Sequence, residues 1–274
     1  MILWLRRFFS KKQTSKVAPQ MASDNVETLH NYAQLEALLY SPDIRNWELA
    51  FALLEGQSLP LSQKLYQIIC SDMGRLTICI EQGHIELLRP FKSLHIQGIS
   101  ADNPLYRHRF ADAMGQLTHL EELYWIGRNF LFNTNYVQAL PKLKNLKRLR
   151  PTQLYFNELE RIICELDQLE WLDLSQNHLS NLPEAFNNLK NLSFLNLSHC
   201  YFKTIPAVLY ELPQLKQLSM IGNPMDYLDL PAMKRLKNLE QLVLAPIIVK
   251  RYKLALREIL SPIVFEHPSW KNIN

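Results

Sequence analysis

Leucine recurs in a fixed order in the stretch LEWLDLSQNHLSNLPEAFNNLKN, which runs from Leu169 to Asn191. Near its start, Leu172 and Leu174 alternate with Trp171 and Asp173, as in a short strand that buries one face. The leucines of such a strand point to a core, whereas Trp171 and Asp173 point outward. The pattern therefore predicts a strand with one buried side.

The second half of the stretch has a different spacing. Leu179 and Leu182 keep the turn that follows the strand on the same core. Pro183 opens the next segment, where Phe186 and Leu189 are separated by about one helical turn. The stretch thus predicts one strand followed by one short helical or irregular segment.

This unit recurs along the chain with a period of 23 to 24 residues. It returns as LSFLNLSHCYFKTIPAVLYELPQ from Leu192, as LKQLSMIGNPMDYLDLPAMKRLKN from Leu215, and as LEQLVLAP from Leu239. A period of this length is typical of supersecondary units that stack on one another to bury a continuous core.

The shared pattern, L-x-x-L-x-L-x-x-N/C-x-L followed by L-P, resembles the leucine-rich-repeat family. The resemblance implies an α/β right-handed solenoid with a parallel concave β-sheet and short helical or irregular convex segments, used for binding proteins. It also implies that Asn177, Cys200 and Asn223 occupy the position whose side chain satisfies the backbone of a tight bend, forming a ladder between coils. Single units of this kind are not expected to fold alone.

Earlier units of the chain are less regular. The unit from Leu146 has Pro151 in its strand and Leu154 in place of the ladder residue. The units that open at Phe91 and Leu120 span 29 and 26 residues. We expect the sheet to include them despite their length.

The ends of a solenoid need caps, because a terminal repeat would otherwise expose its apolar core. Residues 26–75 contain two or three helix-like segments with ordinary turn residues between them, and we assign them to an N-terminal helical cap. Repeats are assigned to residues 76–246, and a strand predicted at Leu76–Ile80 belongs either to the sheet or to its cap. Residues 247–274 form a C-terminal cap, and residues 1–25 form a basic tail.

Charge argues against nucleic acid as a partner. The chain has 30 basic and 26 acidic residues, but five of the basic ones lie in the first 20 residues, where there is no acid. The remainder carries 25 basic residues against 26 acidic ones. A nearly neutral body lacks the basic surface that phosphate binding requires.

Cysteine usage and hydropathy indicate the compartment. The four cysteines, Cys70, Cys79, Cys164 and Cys200, form neither a CxxC pair nor a dense disulfide framework. No apolar run is long enough to cross a bilayer, and MILWLRRFFSKK lacks the apolar core and small-residue cleavage site of a secretory signal. We expect a reducing, cytoplasmic location.

No constellation of residues predicts an enzyme, a metal site or a cofactor. The GxSxG, HExxH and glycine-rich phosphate-loop motifs are absent from the sequence. His178 and His199 lie on adjacent repeats, but a third metal ligand is missing. Cys200 beside His199 is better explained as a buried, unreactive ladder residue than as a nucleophile.

The N-terminus contains a candidate membrane-contact segment. On a helix, apolar and basic side chains of the first residues separate onto two sides, and the residues that would contact a membrane are Trp4, Leu5, Arg6, Arg7, Phe8 and Phe9. Such a segment can lie in an anionic interface, with each basic residue adding about 1 kcal/mol. The alternative is a disordered or weakly helical tail. The first reading would place the protein at the inner face of a membrane.

The outward strand residues form the predicted partner-binding site. Counting the opening residue of each unit as position 1, positions 3 and 5 face the concave side. The candidate contact residues are Tyr124, Arg148, Arg150, Trp171, Asp173, Phe194 and Asn196. Trp, Tyr and Arg often carry interface energy. The alternative is structural: Trp171 and Phe194 pack on each other, and the arginines pair with Asp173 or Glu122. The sequence does not identify the protein partner.

Overall fold

The computed structural model describes residues 31–56, 60–97, 109, 112–126, 137–152 and 159–259. In this part of the chain, seven parallel strands form one sheet whose spatial order follows the chain order. They are β1 Ser93–Gln97, β2 Glu122–Ile126, β3 Arg148–Thr152, β4 Trp171–Asp173, β5 Phe194–Asn196, β6 Gln217–Ser219 and β7 Gln241–Val243. Consecutive parallel strands joined by crossovers confirm the predicted α/β solenoid.

One column of leucines holds the strands in register. Each strand places one leucine opposite that of its neighbours, and the column consists of Leu94, Leu123, Leu149, Leu172, Leu195, Leu218 and Leu242. All seven are at most 1% exposed. Complete burial of a leucine contributes roughly 1.5–3 kcal/mol, and a shift by one residue would turn the whole column to solvent.

Short helical segments return the chain from one strand to the next. Within the described residues they include 3₁₀ helices at Val137–Lys142, Glu184–Asn188 and Ala207–Glu211, and short α-helices at Leu159–Ile163 and Leu230–Met233. Their apolar residues close the core opposite the sheet, as Phe186 and Leu189 show by being fully buried. Cys164 is buried in the same layer.

Helices precede the sheet. Residues 31–39 are helical, and further helices span Ile44–Gly56, Gln63–Cys70 and Met73–Glu81. Tyr66 connects them to β1, because its ring stacks on Phe91 at 4.0 Å and its hydroxyl donates to the Ser93 carbonyl at 2.7 Å. These helices lie where a cap is needed, although the assignment of residues 26–75 as a cap stays a prediction.

The predicted strand at Leu76–Ile80 is wrong. These residues lie inside the helix Met73–Glu81, whose start is fixed by Asp72: its side chain accepts a hydrogen bond from the Arg75 amide at 2.9 Å. All five residues of the run are buried. A short apolar run buried on every side shows neither the helical nor the strand period, so the sequence pattern could not separate the two.

The helix Pro246–Ile259 follows the last strand. Ile248 and Leu256 are buried and cover the end of the core. Tyr252 interrupts the helix with non-helical backbone angles. The rest of the predicted C-terminal cap, residues 260–274, lies outside the described residues.

Candidate functional site

The pairing of the strands places the outward residues in two continuous columns on the concave face. The position 3 column consists of Ser93, Glu122, Arg148, Trp171, Phe194, Gln217 and Gln241. The position 5 column contains His95, Tyr124 and Arg150 on β1–β3, and Asp173, Asn196, Ser219 and Val243 on β4–β7. All seven residues of the predicted contact set therefore lie together on one face of the sheet.

Four aromatic side chains form a strip across these columns, which we call the aromatic strip: His95, Tyr124, Trp171 and Phe194. Trp171 and Phe194 stack with ring centroids 4.9 Å apart and planes 8° from parallel. His95 and Tyr124 stack at 4.4 Å. Tyr124 meets Trp171 at 6.1 Å with the planes tilted by 54°. The two stacked pairs thus touch and make one apolar surface.

The contact between Tyr124 and Trp171 spans a strand. Tyr124 belongs to β2 and Trp171 to β4, and β3 lies between them. Neighbouring strands are roughly 4.8 Å apart, so the two backbones are separated by about twice that distance. A ring separation of 6.1 Å requires both side chains to lean over β3. The outward residues of β3, Arg148 and Arg150, therefore emerge beside the rings.

Both arginines of β3 are paired with acids on neighbouring strands. Arg148 Nε lies 3.7 Å from a Glu122 carboxylate oxygen, with side chains 51% and 35% exposed. Arg150 Nε lies 3.2 Å from an Asp173 oxygen, with side chains 39% and 7% exposed. The Arg150 contact is an ion pair whose angle does not meet hydrogen-bond geometry. Ring packing and ion pairing, the structural alternative for these residues, are thus both present.

The acids have further partners. The other oxygen of Asp173, Oδ1, accepts a hydrogen bond from the Ser175 amide at 2.9 Å. Glu122 accepts from the Tyr124 hydroxyl at 3.4 Å. These contacts hold the carboxylates beside the arginines, so that the centre of the concave face carries paired rather than free charge.

Beyond the strip, the outward residues of β5–β7 are uncharged, and all but Val243 are polar. Asn196 Oδ1 accepts hydrogen bonds from the Ser198 amide at 3.0 Å and from the Ser198 hydroxyl at 2.5 Å. The Ser198 hydroxyl also lies 2.8 Å from that of Ser219. This chain of hydrogen bonds fixes the amide of Asn196 and joins β5 to β6.

The ladder residues bind backbone carbonyls of two coils. Asn177 Nδ2 donates to the carbonyls of Leu174 and Pro151, each at 2.9 Å, and also lies 3.3 Å from that of Ser175. Asn223 repeats the arrangement with Met220 and Leu197, at 2.9 and 2.7 Å. The cysteine in the slot between them makes the corresponding contact more weakly.

Cys200 is a poor nucleophile. Its Sγ lies 3.4 Å from the Leu174 carbonyl and 3.7 Å from that of Ser198. Burial raises the pKa of its thiol, so the unreactive protonated form dominates at neutral pH. Burial also raises the pKa of Cys70 to about 12.

Just before each ladder residue the backbone enters the left-handed region. Gln176, His199 and Gly222 occupy the same place in consecutive units and have φ of 59°, 55° and 75°. A residue with a side chain pays a steric cost there, whereas glycine does not. The sequence analysis missed this feature, and its only sequence signal was Gly222.

The histidines near these turns have structural neighbours. His178 meets Tyr201 edge to face at 5.3 Å. The His199 ring lies so close to Gly222 that a Cβ there would be 2.4 Å from Nδ1. In the ranges that the structure describes, no three His, Cys, Asp or Glu residues come together as a metal site.

A column of alternating charge runs beside the concave site, at position 2. Its members are Lys92, Glu121, Lys147, Glu170, Ser193, Lys216 and Glu240. Lys147 Nζ lies 3.0 Å from Glu121, and Lys216 Nζ lies 3.0 Å from Glu240. The hydrogen bond from Lys147 lowers the pKa of Glu121. Lys147 belongs to the basic stretch KLKNLKRLR, residues 142–150, and this pairing neutralises part of its charge.

The candidate membrane contacts, Trp4, Leu5, Arg6, Arg7, Phe8 and Phe9, lie outside the described residues. Within those residues, none of the helices combines the length and the apolar character needed to span a bilayer.

Comparison with known proteins gives one family match and several similar solved structures. Residues 167–225 match the leucine-rich-repeat family model. A leucine-rich-repeat protein from Leptospira interrogans is 22% identical, with a TM-score of 0.49, over 67% of this chain and 50% of its own. An internalin, inlF, from Listeria monocytogenes is 20% identical, with a TM-score of 0.44, over 59% of this chain and 50% of its own.

The plant peptide hormone receptor RGFR1, solved in complex with RGF2, is 20% identical, with a TM-score of 0.42, over 58% of this chain and 29% of its own. The alignments with the two bacterial structures cover half of each of those chains. A search of curated proteins gives no match. The repeat spacing, the family match over residues 167–225 and the seven consecutive parallel strands together fit the fold of a leucine-rich-repeat solenoid.

Proposed function

We propose that this chain is a non-enzymatic protein-binding module, a scaffold or adaptor in the cytoplasm, that holds a protein partner on its concave face. The observation that carries the proposal is the aromatic strip, an apolar surface of four adjoining rings on the outward side of a sheet whose other side is fully packed. Leucine-rich-repeat domains generally mediate interactions between proteins, which supports a partner of this class.

The composition of the strip supports binding energy at its centre. Trp, Tyr and Arg are the residues that most often cost 2 kcal/mol or more, roughly, when truncated at an interface. Trp171 and Phe194 retain partial exposure although they stack, so a partner still removes apolar surface from water when it covers them. Arg148, half exposed, extends this surface on the next strand.

The experiment begins with identification of the partner by crosslinking and mass spectrometry in the native cell. Binding of that partner is then measured by calorimetry for Trp171→Ala and Arg150→Ala. Each should weaken binding at least about tenfold, equivalent to about 1.4 kcal/mol. Trp171 is not a core leucine, and the fold of its variant is checked by thermal melting.

Two matched variants make the test specific. Arg148→Ala removes the neighbouring arginine, whose partner acid Glu122 is partly exposed, so the variant should be nearly as stable as the parent. Weaker binding by this variant would therefore report a lost contact with the partner and not a destabilised fold. Asn187→Arg alters the convex helix Glu184–Asn188 and should leave binding unchanged. Parent-like binding by both concave variants, with loss of binding in Asn187→Arg, would show that the partner uses the convex side.

Membrane attachment through the N-terminus remains an independent proposal that rests on the sequence alone. Flotation with anionic liposomes, comparing the full chain with a chain that lacks residues 1–20, tests it. Equal flotation of the two proteins would remove it, whereas loss of flotation on truncation would support a tethered binding module.

A further inference from the structure

We infer that the concave face binds an uncharged, extended peptide segment with an aromatic or large aliphatic side chain, and that this binding depends little on ionic strength. The inference rests on the proposed function and specifies the chemistry of its partner. Three features of the face support it: its charge, the orientation of its rings, and its amide side chains.

Charge is balanced within the site itself. The two columns contain two arginines and two acids, and each arginine already has its acid, at 3.7 Å for Arg148 with Glu122 and 3.2 Å for Arg150 with Asp173. An acidic partner that took Arg150 would leave the almost fully buried carboxylate of Asp173 without its counter-charge, which is costly. A basic partner that took either acid would leave its arginine unpaired, at a smaller cost because Arg148 and Arg150 are 51% and 39% exposed. The face therefore disfavours charge of either sign.

The rings favour aromatic and apolar side chains. Trp171 and Phe194 turn their faces toward each other along the sheet, because they stack at 8° on neighbouring strands. Their edges are then directed away from the sheet. Ring edges carry positive partial charge and pack well against aromatic faces, and they also suit peptide carbonyl oxygens. Tyr124 leans against Trp171 and lengthens the apolar surface.

The far side of the face suits a peptide backbone. The outward residues of β6 and β7 are uncharged, and they are Gln217, Ser219, Gln241 and Val243. A glutamine amide offers both a donor and an acceptor, which matches the alternating N–H and C=O groups of an extended chain. From β2 to β7 the columns span five inter-strand steps, or roughly 24 Å, which about seven extended residues cover.

The test selects random linear seven-residue peptides, displayed on phage, against the full-length chain. Enriched peptides should contain an aromatic or large aliphatic residue and have no net charge. As synthetic peptides, their affinity should change less than about threefold between roughly 0.05 and 0.5 M NaCl, since screening acts mainly on exposed charge. Trp171→Ala should weaken the binding of these peptides at least about tenfold, which is roughly the loss expected when a central aromatic residue of an interface is truncated.

A charge variant provides the matched control. Glu122→Gln leaves Arg148 without its acid but keeps the size of the side chain, so the same library should now yield acidic peptides whose affinity falls with salt. Phe194→Ala is a second strip variant, and thermal melting of each variant shows that the fold persists. Retention of neutral peptides by Glu122→Gln would mean that the ion pair does not set the preference.

The outcomes separate the two proposals. Acidic, salt-sensitive peptides selected by the parent and lost on Trp171→Ala would overturn the inference while leaving the concave face as the binding site. The inference would also be overturned if the selected peptides bound Trp171→Ala and Phe194→Ala as tightly as the parent, or if no peptide were enriched. The function itself fails separately, if the natural partner ignores the concave variants and responds to Asn187→Arg.

Discussion

The two halves of the sheet differ in the length of their strands. Strands β1–β3 have five residues each and pair over their whole length, whereas β4–β7 have three. One of the sequence differences is at the ladder position: Asn177, Cys200 and Asn223 follow β4, β5 and β6, but the equivalent residues after β1, β2, β3 and the last strand, β7, are Ile99, Arg128, Leu154 and Ile247. Apart from β7, the halves therefore differ in the residue that follows the strand.

The ladder residue binds the backbone where the short strands end. Asn177 donates to the Leu174 carbonyl immediately beyond β4 and to the Pro151 carbonyl of β3. Backbone hydrogen bonds to the next coil continue past β4, from the Leu174 amide to the Asn196 carbonyl at 2.8 Å and from the Gln176 amide to the Ser198 carbonyl at 2.9 Å. The ladder thus holds the turn at Gln176, where the backbone is left-handed, against the preceding coil.

We call β4–β7 and their connections the regular half of the sheet, and β1–β3 with theirs the irregular half. The largest expected effect comes from giving a ladder position of the regular half the residue found in the irregular half. Asn177→Leu copies Leu154; it removes the side-chain donor of the Pro151 carbonyl and leaves the Leu174 carbonyl with only the weak Cys200 thiol. The free energy of unfolding should fall by about 3 kcal/mol, because each orphaned group costs about 1–3 kcal/mol. Chemical denaturation measures it. Asn181→Ala, at an exposed asparagine of the same turn, should change stability by less than about 0.5 kcal/mol.

Cys200→Ala sharpens the same comparison. A thiol is a weak donor, so the loss should be smaller than for Asn177→Leu. Equal losses in the two variants would mean that side-chain volume, and not hydrogen bonding, stabilises the ladder. A loss in Asn177→Leu no larger than that of Asn181→Ala would show that the ladder hydrogen bonds do not stabilise the fold.

The second effect lies at the junction of the two halves, where β3 meets β4. Arg150→Ala should lower the free energy of unfolding by about 2 kcal/mol. This loss is smaller than that expected on breaking a fully buried ion pair, because Arg150 is partly exposed and Asp173 keeps its hydrogen bond from the Ser175 amide. Arg148→Ala should cost less than about 0.5 kcal/mol, since both members of its pair are exposed to water. Denaturant unfolding of both variants gives the comparison.

A double-mutant cycle isolates the pair. Adding Asp173→Asn to Arg150→Ala removes the unpaired charge, so stability should partly return. Additive losses would show that Arg150 acts through packing of its stem. The result also decides how a binding defect in Arg150→Ala is interpreted, because only a folded variant reports on the concave face.

The third effect tests the left-handed turn of the regular half. Gly222→Ala places a Cβ at φ 75° and against the His199 ring, and it should cost roughly 1–2 kcal/mol. In a His199→Ala background the cost should be smaller, because only the backbone strain is left. Thermal melting of the four proteins measures both parts. An unchanged cost in that background would assign the whole effect to the backbone.

Much of the fold could be predicted because the strand period forces it. Alternation puts residues of positions 3 and 5 on one face, and the observed pairing of Arg148 with Trp171, and of Trp171 with Phe194, reproduces the predicted columns. The resemblance to leucine-rich repeats likewise predicted the ladder role of Asn177. These features depend on local periodicity and on the pairing of equivalent positions in successive repeats.

The rest depends on contacts that periodicity does not encode. The segment at Leu76–Ile80 is a helix because it is buried among other helices, which a five-residue window cannot reveal. The pairing of Arg150 with Asp173 appeared only as one alternative, since rotamers of long side chains decide it. Gly222 is a sequence signal for the left-handed turn, whereas Gln176 and His199 give no such signal because residues with side chains disfavour this conformation.

The smallest effect concerns His119, in the irregular half, which takes a place that asparagines hold in other units. Asn145, Asn191 and Asn238 each donate to a backbone carbonyl of the preceding unit, and His119 Nε2 does so to Leu88 at 3.1 Å. Partial burial lowers the pKa of His119 below its ordinary value of 6.5. The folded state therefore prefers the neutral ring, and the unfolded state binds a proton more readily.

Stability contributed by His119 is complete above pH 6.5 and is lost as the pH falls through the lowered pKa of the folded state. The melting temperature should consequently decline slightly between about pH 6.5 and 5, a window that largely avoids the carboxylates. His119→Gln keeps a donor that does not titrate, so its decline should be smaller than that of the parent. An NMR titration supplies the direct check, because a His119 pKa above 6.5 would reverse the sign of the expected change. A parallel decline in parent and variant would instead place the pH dependence elsewhere, and the His119 ring would then be equivalent to the asparagines in energy as well as in position.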